Sequence, residues 1–180
     1  MKKKTILVTG GAGYIGSVLC DLLLRSGYKV TLVDRFFFGR KPISKFKKHP
    51  GLTVVKLDLR DTEKIAPLLK RGMSIIHLGS LSNDPSCDLD PQWSVRINHE
   101  ATVNLADAAK RAGVKRFVFA SSCSVYGHGS ETALREGSEC NPVSLYAKLK
   151  LKSEAELLKR AGNGFCPVIL RQATIYGLSP

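Results

Sequence analysis

Tyr146 and Lys150 stand four residues apart in a run of helical periodicity, so both fall on one face. A phenol with an ordinary pKa of about 10 is a weak base at neutral pH, and a neighbouring cation stabilises its phenolate. Ser121, Ser122 and Ser124 close an apolar run just upstream. A hydroxyl at such a strand end can hydrogen-bond the same substrate oxygen as the tyrosine. Together these groups can take a proton from an alcohol as a hydride leaves its carbon. That chemistry requires a hydride acceptor, and the other end of the chain has the pattern that binds one.

Val8-Thr9-Gly10-Gly11-Ala12-Gly13-Tyr14-Ile15-Gly16 follows an apolar run and precedes an amphipathic one. Gly10, Gly13 and Gly16 are spaced G-x-x-G-x-x-G. A strand turning tightly into a helix needs glycine where φ is positive or where a ligand approaches the backbone. The helix start offers unpaired N–H groups and a partial positive charge, a site for a pyrophosphate. Asp34 ends the next apolar run, where a carboxylate accepts ribose hydroxyls and repels a 2′-phosphate. This favours NAD over NADP, although Arg35, next in the chain, has the charge to serve a 2′-phosphate.

Six apolar runs without strict alternation read as strands buried on both faces: 5–9, 30–34, 53–57, 74–78, 117–121 and 167–171. Helices are predicted between them at 14–25, 62–71, 91–111 and 144–160, with stops at Gly27, Gly72, Gly113 and Gly162 and an N-cap at Asp61. Residues 36–49 read as a basic loop with a short helix. Alternating strands and helices predict an α/β fold, a doubly wound parallel sheet in three αβα layers, with strand order 3-2-1-4-5-6 and ligands at the carboxyl ends of the strands.

Other polar residues fall at those ends. Asp58 can hold an adenine amino group, with Leu59 against the ring; it can also be a turn residue beside Asp61, and the two readings are compatible. Small residues from Leu78 through Gly79, Ser80, Leu81 and Ser82 permit close approach of a cofactor. His77 reads as a packed histidine without a chemical role. Asn98, on the helix at 91–111, is placed either to bridge to a strand or to face solvent.

The chain has 180 residues, enough for one well-buried domain. No apolar run reaches membrane-spanning length, and the basic start at Met1–Lys4 leads into a short strand, not a signal peptide. The expectation is a soluble, cytoplasmic protein without membrane contact. Five cysteines, an odd number with no C-x-x-C, and four scattered histidines indicate neither a disulfide framework nor a metal site. The net charge of +13 is densest between Arg40 and Lys48, at Lys110–Arg116 and at Lys148–Lys152. Such clusters suit a diphosphate-bearing substrate, a membrane or nucleic acid. Only Phe46 interleaves them and no nucleic-acid motif is matched, which argues against nucleic acid.

Taken together, the motifs at Thr9–Gly16, Asp58–Asp61, Ser121–Gly127, Tyr146–Lys150 and Leu170–Gly177 resemble those of the extended short-chain dehydrogenase/reductases. Within that superfamily the chain resembles the NAD-dependent epimerase/dehydratase family, which acts on nucleotide sugars; UDP-glucose 4-epimerase is the type of enzyme implied. The resemblance implies a Rossmann domain over residues 1–180 and NAD as cofactor. It makes Gly10, Gly13, Tyr14, Ile15 and Gly16 the pyrophosphate turn, Asp34 the ribose acceptor, and Asp58 with Leu59 the adenine contact. Leu78, Gly79, Ser80, Leu81 and Ser82 line the cofactor, and Asn98 supports the site. Ser122 becomes the catalytic hydroxyl and Tyr146 the general base. Lys150 holds the nicotinamide ribose and depresses the tyrosine pKa.

The implied substrate is a nucleotide-diphosphate sugar, and the implied assembly is a homodimer through the helices at 91–111 and 144–160. Cys123 and Ser124 stand where 4,6-dehydratases carry an acid–base pair, so epimerisation, oxidation or reduction is expected in place of dehydration. The family continues past the strand ending in Tyr176-Gly177 into a region that binds the nucleotide sugar. The expectation is therefore the cofactor-binding part of such an enzyme, with a non-catalytic NAD-binding sensor or subunit as the alternative.

Overall fold

Residues alternate in direction along β1 (Thr5–Thr9), and both directions meet a core. Ile6 and Val8 pack with Cys20 and Leu24 of α1 (Tyr14–Arg25), while Leu7 joins Ile75, Leu105, Phe117, Phe119 and Leu157 on the other side. Consecutive apolar residues, here Ile6, Leu7 and Val8, are what a strand in a sheet covered on both faces requires. The computed structural model describes residues 4–128 and 133–179. Part of the Gly-, Glu- and Ser-rich insert after Gly127 therefore lies outside the described residues.

The sheet contains β1, β2 (Lys29–Asp34), β3 (Leu52–Lys56), β4 (Ser74–His77), β5 (Arg116–Ser122) and β6 (Cys166–Gln172) in the order β3-β2-β1-β4-β5-β6. Every pairing is parallel, with Ile6 beside Val30 and Ser74, and Ser122 beside Gln172. The order reverses between β2 and β4 on either side of β1, which opens a crevice at the carboxyl ends. The sheet order and α/β class are those read from the sequence.

Helices differ from expectation in three places. α2 (Thr62–Ile65) gives way to a 3-10 turn at Ala66–Leu68, because Pro67 has no N–H to continue the α-helical ladder. Asp61 occupies the N-cap position, but its carboxylate binds Lys64 at 3.0 Å and makes no cap bond. A short α3 (Asp84–Leu89), capped by Asn83, lies where no helix was predicted.

The long helix at 91–111 runs as α4 (Pro91–Ser94), a π-helical segment (Val95–Glu100) and α5 (Ala101–Arg111). α6 (Leu145–Lys159) starts from Ser144, whose side chain accepts from the N–H of Ala147 at 3.2 Å. Among the described residues no helix is long and apolar enough to cross a membrane.

Candidate active site

A cleft of about 1330 Å³ runs along the carboxyl ends of the strands. Its walls include Gly10, Gly13, Tyr14, Ile15 and Gly16 from the glycine turn, Asp34, Asp58 and Leu59, the whole of 78–82, and Ser122, Tyr146 and Lys150. Of the predicted site residues only Asn98 lies behind the wall.

The glycine turn has no room for side chains. Gly10 sits at φ +69°, and a Cβ there would lie 2.7 Å from the backbone nitrogen of Gly79. A Cβ on Gly16 would lie 2.2 Å from the carbonyl oxygen of Gly10. The turn is tied down from the side as well: the Gly10 N–H donates to Val33 at 2.9 Å and the Ala12 N–H to Asp34 Oδ2 at 2.9 Å. The other oxygen of Asp34 accepts from the Phe36 N–H at 2.6 Å. Each carboxylate oxygen keeps a lone pair for a ribose hydroxyl. A turn of this closeness, opening α1, fits the pyrophosphate and ribose of a dinucleotide.

At the adenosine end Asp58 already has partners. Its carboxylate is taken by a two-pronged contact from Arg60, at 2.9 and 2.8 Å, with Arg35 at 3.5 Å. The Arg60 hydrogen bond, more than any other influence, holds the Asp58 carboxyl below its usual range. Asp58 also accepts the Arg60 N–H at 3.0 Å, so the turn reading applies. Both guanidinium groups lie 5.7 Å from the ring centroid of Trp93, which no sequence signal had singled out. Arg35 is thus turned onto Asp58 and Trp93.

Asn98 is buried in the π-helical segment, where the widened turn brings it to the loop after β4. Its side chain accepts the Leu81 N–H at 2.8 Å and donates to the Leu81 carbonyl at 2.9 Å. Asn98 is buried and bridges, but to the loop after β4 and not to a strand. His77 is buried between Thr9, at 2.7 Å from Nδ1, and Thr102, at 3.0 Å from Nε2. Burial, with a smaller push from the charge of Lys150, drives its pKa down to about 3. A neutral packed histidine is what was expected.

The three serines at the end of β5 go different ways. Ser121 is buried and donates to Glu154 on α6. Ser122 caps the 3-10 turn Cys123–Tyr126, accepting from the Ser124 N–H at 3.2 Å and hydroxyl at 2.9 Å. Of the three, Ser122 is the one that acts on the Tyr146 phenol, opposing the rise that burial causes.

Lys150 is buried; its Nζ donates to the Ala120 carbonyl at 2.8 Å and to Ser80 at 3.4 Å, and lies 5.5 Å from the Tyr146 ring centroid. Burial lowers its pKa to about 8. The expected depression of the Tyr146 pKa by Lys150 is not found. Burial raises the phenol above its usual value, and the group opposing that rise is Ser122. Lys150 has committed its nearest donor contact to Ala120.

The end of β6 and the segment after it, within the motif at Leu170–Gly177, add a further wall. Gln172, Thr174 and Ile175 line the cleft, and Ser179 donates to the Tyr14 carbonyl at 2.8 Å. Among the described residues no group of three or more His, Cys, Asp or Glu is placed to hold a metal ion.

Comparison with known proteins places this geometry. The model of the NAD dependent epimerase/dehydratase family matches residues 6–180. UDP-glucose 4-epimerase of Bacillus subtilis is 32% identical, over 97% of this chain and 54% of its own length. UDP-glucuronic acid decarboxylase 1 of Xenopus tropicalis is 31% identical, over 92% of this chain and 42% of its own. The crystal structure of the Bordetella bronchiseptica enzyme WbmG in complex with NAD superposes with a TM-score of 0.82 at 26% identity, covering 94% of this chain and 53% of that one. The chain thus spans about half the length of the relatives it matches. It belongs to the NAD dependent epimerase/dehydratase family.

Proposed function

We propose that this chain binds NAD in the cleft and supplies the acid–base groups that oxidise a hydroxyl of a nucleotide-diphosphate sugar. The observation that carries the reading is the convergence of Ser122, Tyr146 and Lys150 on the cleft that also holds the glycine turn and Asp34. Related proteins named for action on UDP-sugars, and one solved with NAD, support it.

The glycine turn and the start of α1 receive the pyrophosphate, and Asp34 accepts the adenosine ribose hydroxyls. Bound there, NAD supplies a hydride acceptor. Tyr146 takes the hydroxyl proton of the sugar, and Ser122 orients the same oxygen. Lys150 would donate to the nicotinamide ribose, and Ser122 favours the phenolate against the rise that burial causes. Arg35 and Arg60 lie against Trp93, and this face closes on the adenine.

Epimerases and a decarboxylase both stand among the relatives. Oxidation of a sugar hydroxyl is a step both outcomes can share: a ketone beside a carbon that bears a carboxylate is a β-keto acid, and without that carboxylate the hydride can return to the other face. The residues of this chain serve the shared step. The nucleotide sugar is held in large part by a region following this domain. A cytoplasmic setting, in keeping with five free cysteines, and pairing of two copies through α5 and α6 complete the proposal.

In the protein that carries this domain, Tyr146→Phe should lower turnover of UDP-sugars by about 100-fold or more while NADH still binds. Unchanged turnover would remove Tyr146 from the role of base. Light scattering checks the pairing: a monomer at micromolar concentration contradicts it.

A further inference from the structure

Three consecutive residues at the end of β5 are tied to three residues spaced one helical turn apart on α6. Ser122 acts on the phenol of Tyr146, lowering its pKa against burial, the Ala120 carbonyl accepts from Lys150 at 2.8 Å, and the Ser121 hydroxyl donates to the carboxylate of Glu154. The proposed reaction uses Tyr146 and Lys150 but has no use for Glu154. A carboxylate only 3% exposed needs a reason and a partner.

The partner is Arg171 at the end of β6, whose Nη2 and Nε reach Glu154 Oε2 at 2.7 and 3.0 Å. The same guanidinium donates to the Tyr126 hydroxyl at 3.1 Å and to the Glu136 carbonyl at 3.2 Å. Tyr126 ends the 3-10 turn that Ser122 begins. The pair therefore holds side chains on both sides of Ser122, the hydroxyls of Ser121 and Tyr126, and it lies on α6 one turn beyond Lys150.

We propose that Glu154, held by Arg171, is a positioning residue that fixes Ser122, Tyr146 and Lys150 in register and gives the Lys150 ammonium its counter-charge. The inference rests on the roles assigned above to Tyr146 and Lys150. The groups around Lys150 are Tyr146 and Glu154 on its own helix, His77 on β4, Cys87 on α3, and Arg171 behind Glu154. Burial lowers the Lys150 pKa, and Cys87 and Glu154 push it back up. Burial also raises the Cys87 thiol and keeps His77 neutral, so at neutral pH Glu154 supplies the negative charge within this set.

The test is the titration of Lys150, followed by NMR of the chain labelled with 13C-lysine, its signal identified by loss in Lys150→Arg. Glu154→Gln should move the midpoint down by about one pH unit, while Glu154→Asp and Ser121→Ala leave it near the wild-type value. NADH affinity of Glu154→Gln should fall at mildly alkaline pH and recover as the pH is lowered. If Glu154→Gln does not fold, the double variant Glu154→Gln, Arg171→Met, which removes the Arg171 charge together with its partner, should still show a downward shift. A lower melting temperature with the Lys150 midpoint unmoved would reduce the pair to a structural fastener and overturn the inference. Failure of the wild-type chain to bind NADH would overturn the cofactor reading instead, and the NMR midpoint would still decide the role of Glu154.

Discussion

Lys150 donates from Nζ to the carbonyl of Ala120 across 2.8 Å in a place only 2% exposed. The bond holds an ammonium where the proposed reaction needs a donor, against the pull of burial. That pull has a measurable consequence. The folded pKa of about 8 lies below the ordinary 10.5, so the unfolded chain binds more protons between those values. Stability from this group therefore rises as pH rises through that window. Relative to Lys150→Met, which does not titrate, the wild-type chain should gain roughly 3 kcal/mol from neutral pH to above 10. Urea melts of both proteins across that range check it, and a constant difference would contradict it.

His77 gives the opposite limb. Its pKa falls from the ordinary 6.5 to about 3 in the folded chain, chiefly through burial. The unfolded chain binds the extra proton between those values, so stability is lost as pH falls from about 6.5 toward 3. The loss at full development is of order 4 kcal/mol. His77→Gln should flatten this part of the acid melt while lowering stability at neutral pH, because Thr9 and Thr102 lose ring partners. Parallel acid profiles for the two proteins would exclude His77 as the source.

At Gly16 the contact is backbone to backbone. An added Cβ would stand 2.2 Å from the Gly10 carbonyl oxygen and 2.7 Å from the Gly11 Cα. No rotamer relieves it. Gly16→Ala should cost about 2–4 kcal/mol and abolish NADH binding in the protein that still folds. By contrast, nothing within 4 Å would meet a Cβ at Gly137, and Gly137→Ala should change stability by less than about 0.5 kcal/mol. Thermal melts of the two variants side by side distinguish a tight turn from general intolerance.

Asp34 joins the glycine turn to the loop after β2 by accepting from Ala12 and Phe36. Asp34→Ala removes both acceptors and the proposed ribose contact. NADH affinity should fall about 10- to 100-fold, and the preference for NAD over NADP should shrink as the repelling charge disappears. Equal affinities for NAD and NADP in the wild-type chain would show that Arg35 outweighs Asp34.

Much of this site was legible because strand ends in a parallel sheet point one way. With Gly10 and Asp34 following or ending strands, Ser122 ending β5 and the i, i+4 pair Tyr146 and Lys150 in the first two turns of a helix, the strand order brings them together. The local bonds were less legible. For Asp58 the sequence leaves an adenine contact and a turn residue both open, and it does not show that Arg60, two residues later, folds back onto the carboxylate. Trp93 and Arg171 carry no motif; their contacts with Arg35, Arg60 and Glu154 cross between elements, and only the folded register shows them. Glu154 had a signal that went unread: it continues the spacing Tyr146, Lys150 by one more turn. The π-helical segment around Asn98 has no periodicity that separates it from the helices on either side.

Trp93 is the single tryptophan of the chain and lines the cleft, which makes it a built-in reporter. The most direct test of the account is titration of the chain with NADH, following energy transfer from Trp93 to the nicotinamide. The account predicts saturable transfer, displaced by NAD and weakened in both Asp34→Ala and Lys150→Met. No saturable transfer, or transfer indifferent to both substitutions, would contradict the reading of this cleft as the dinucleotide site.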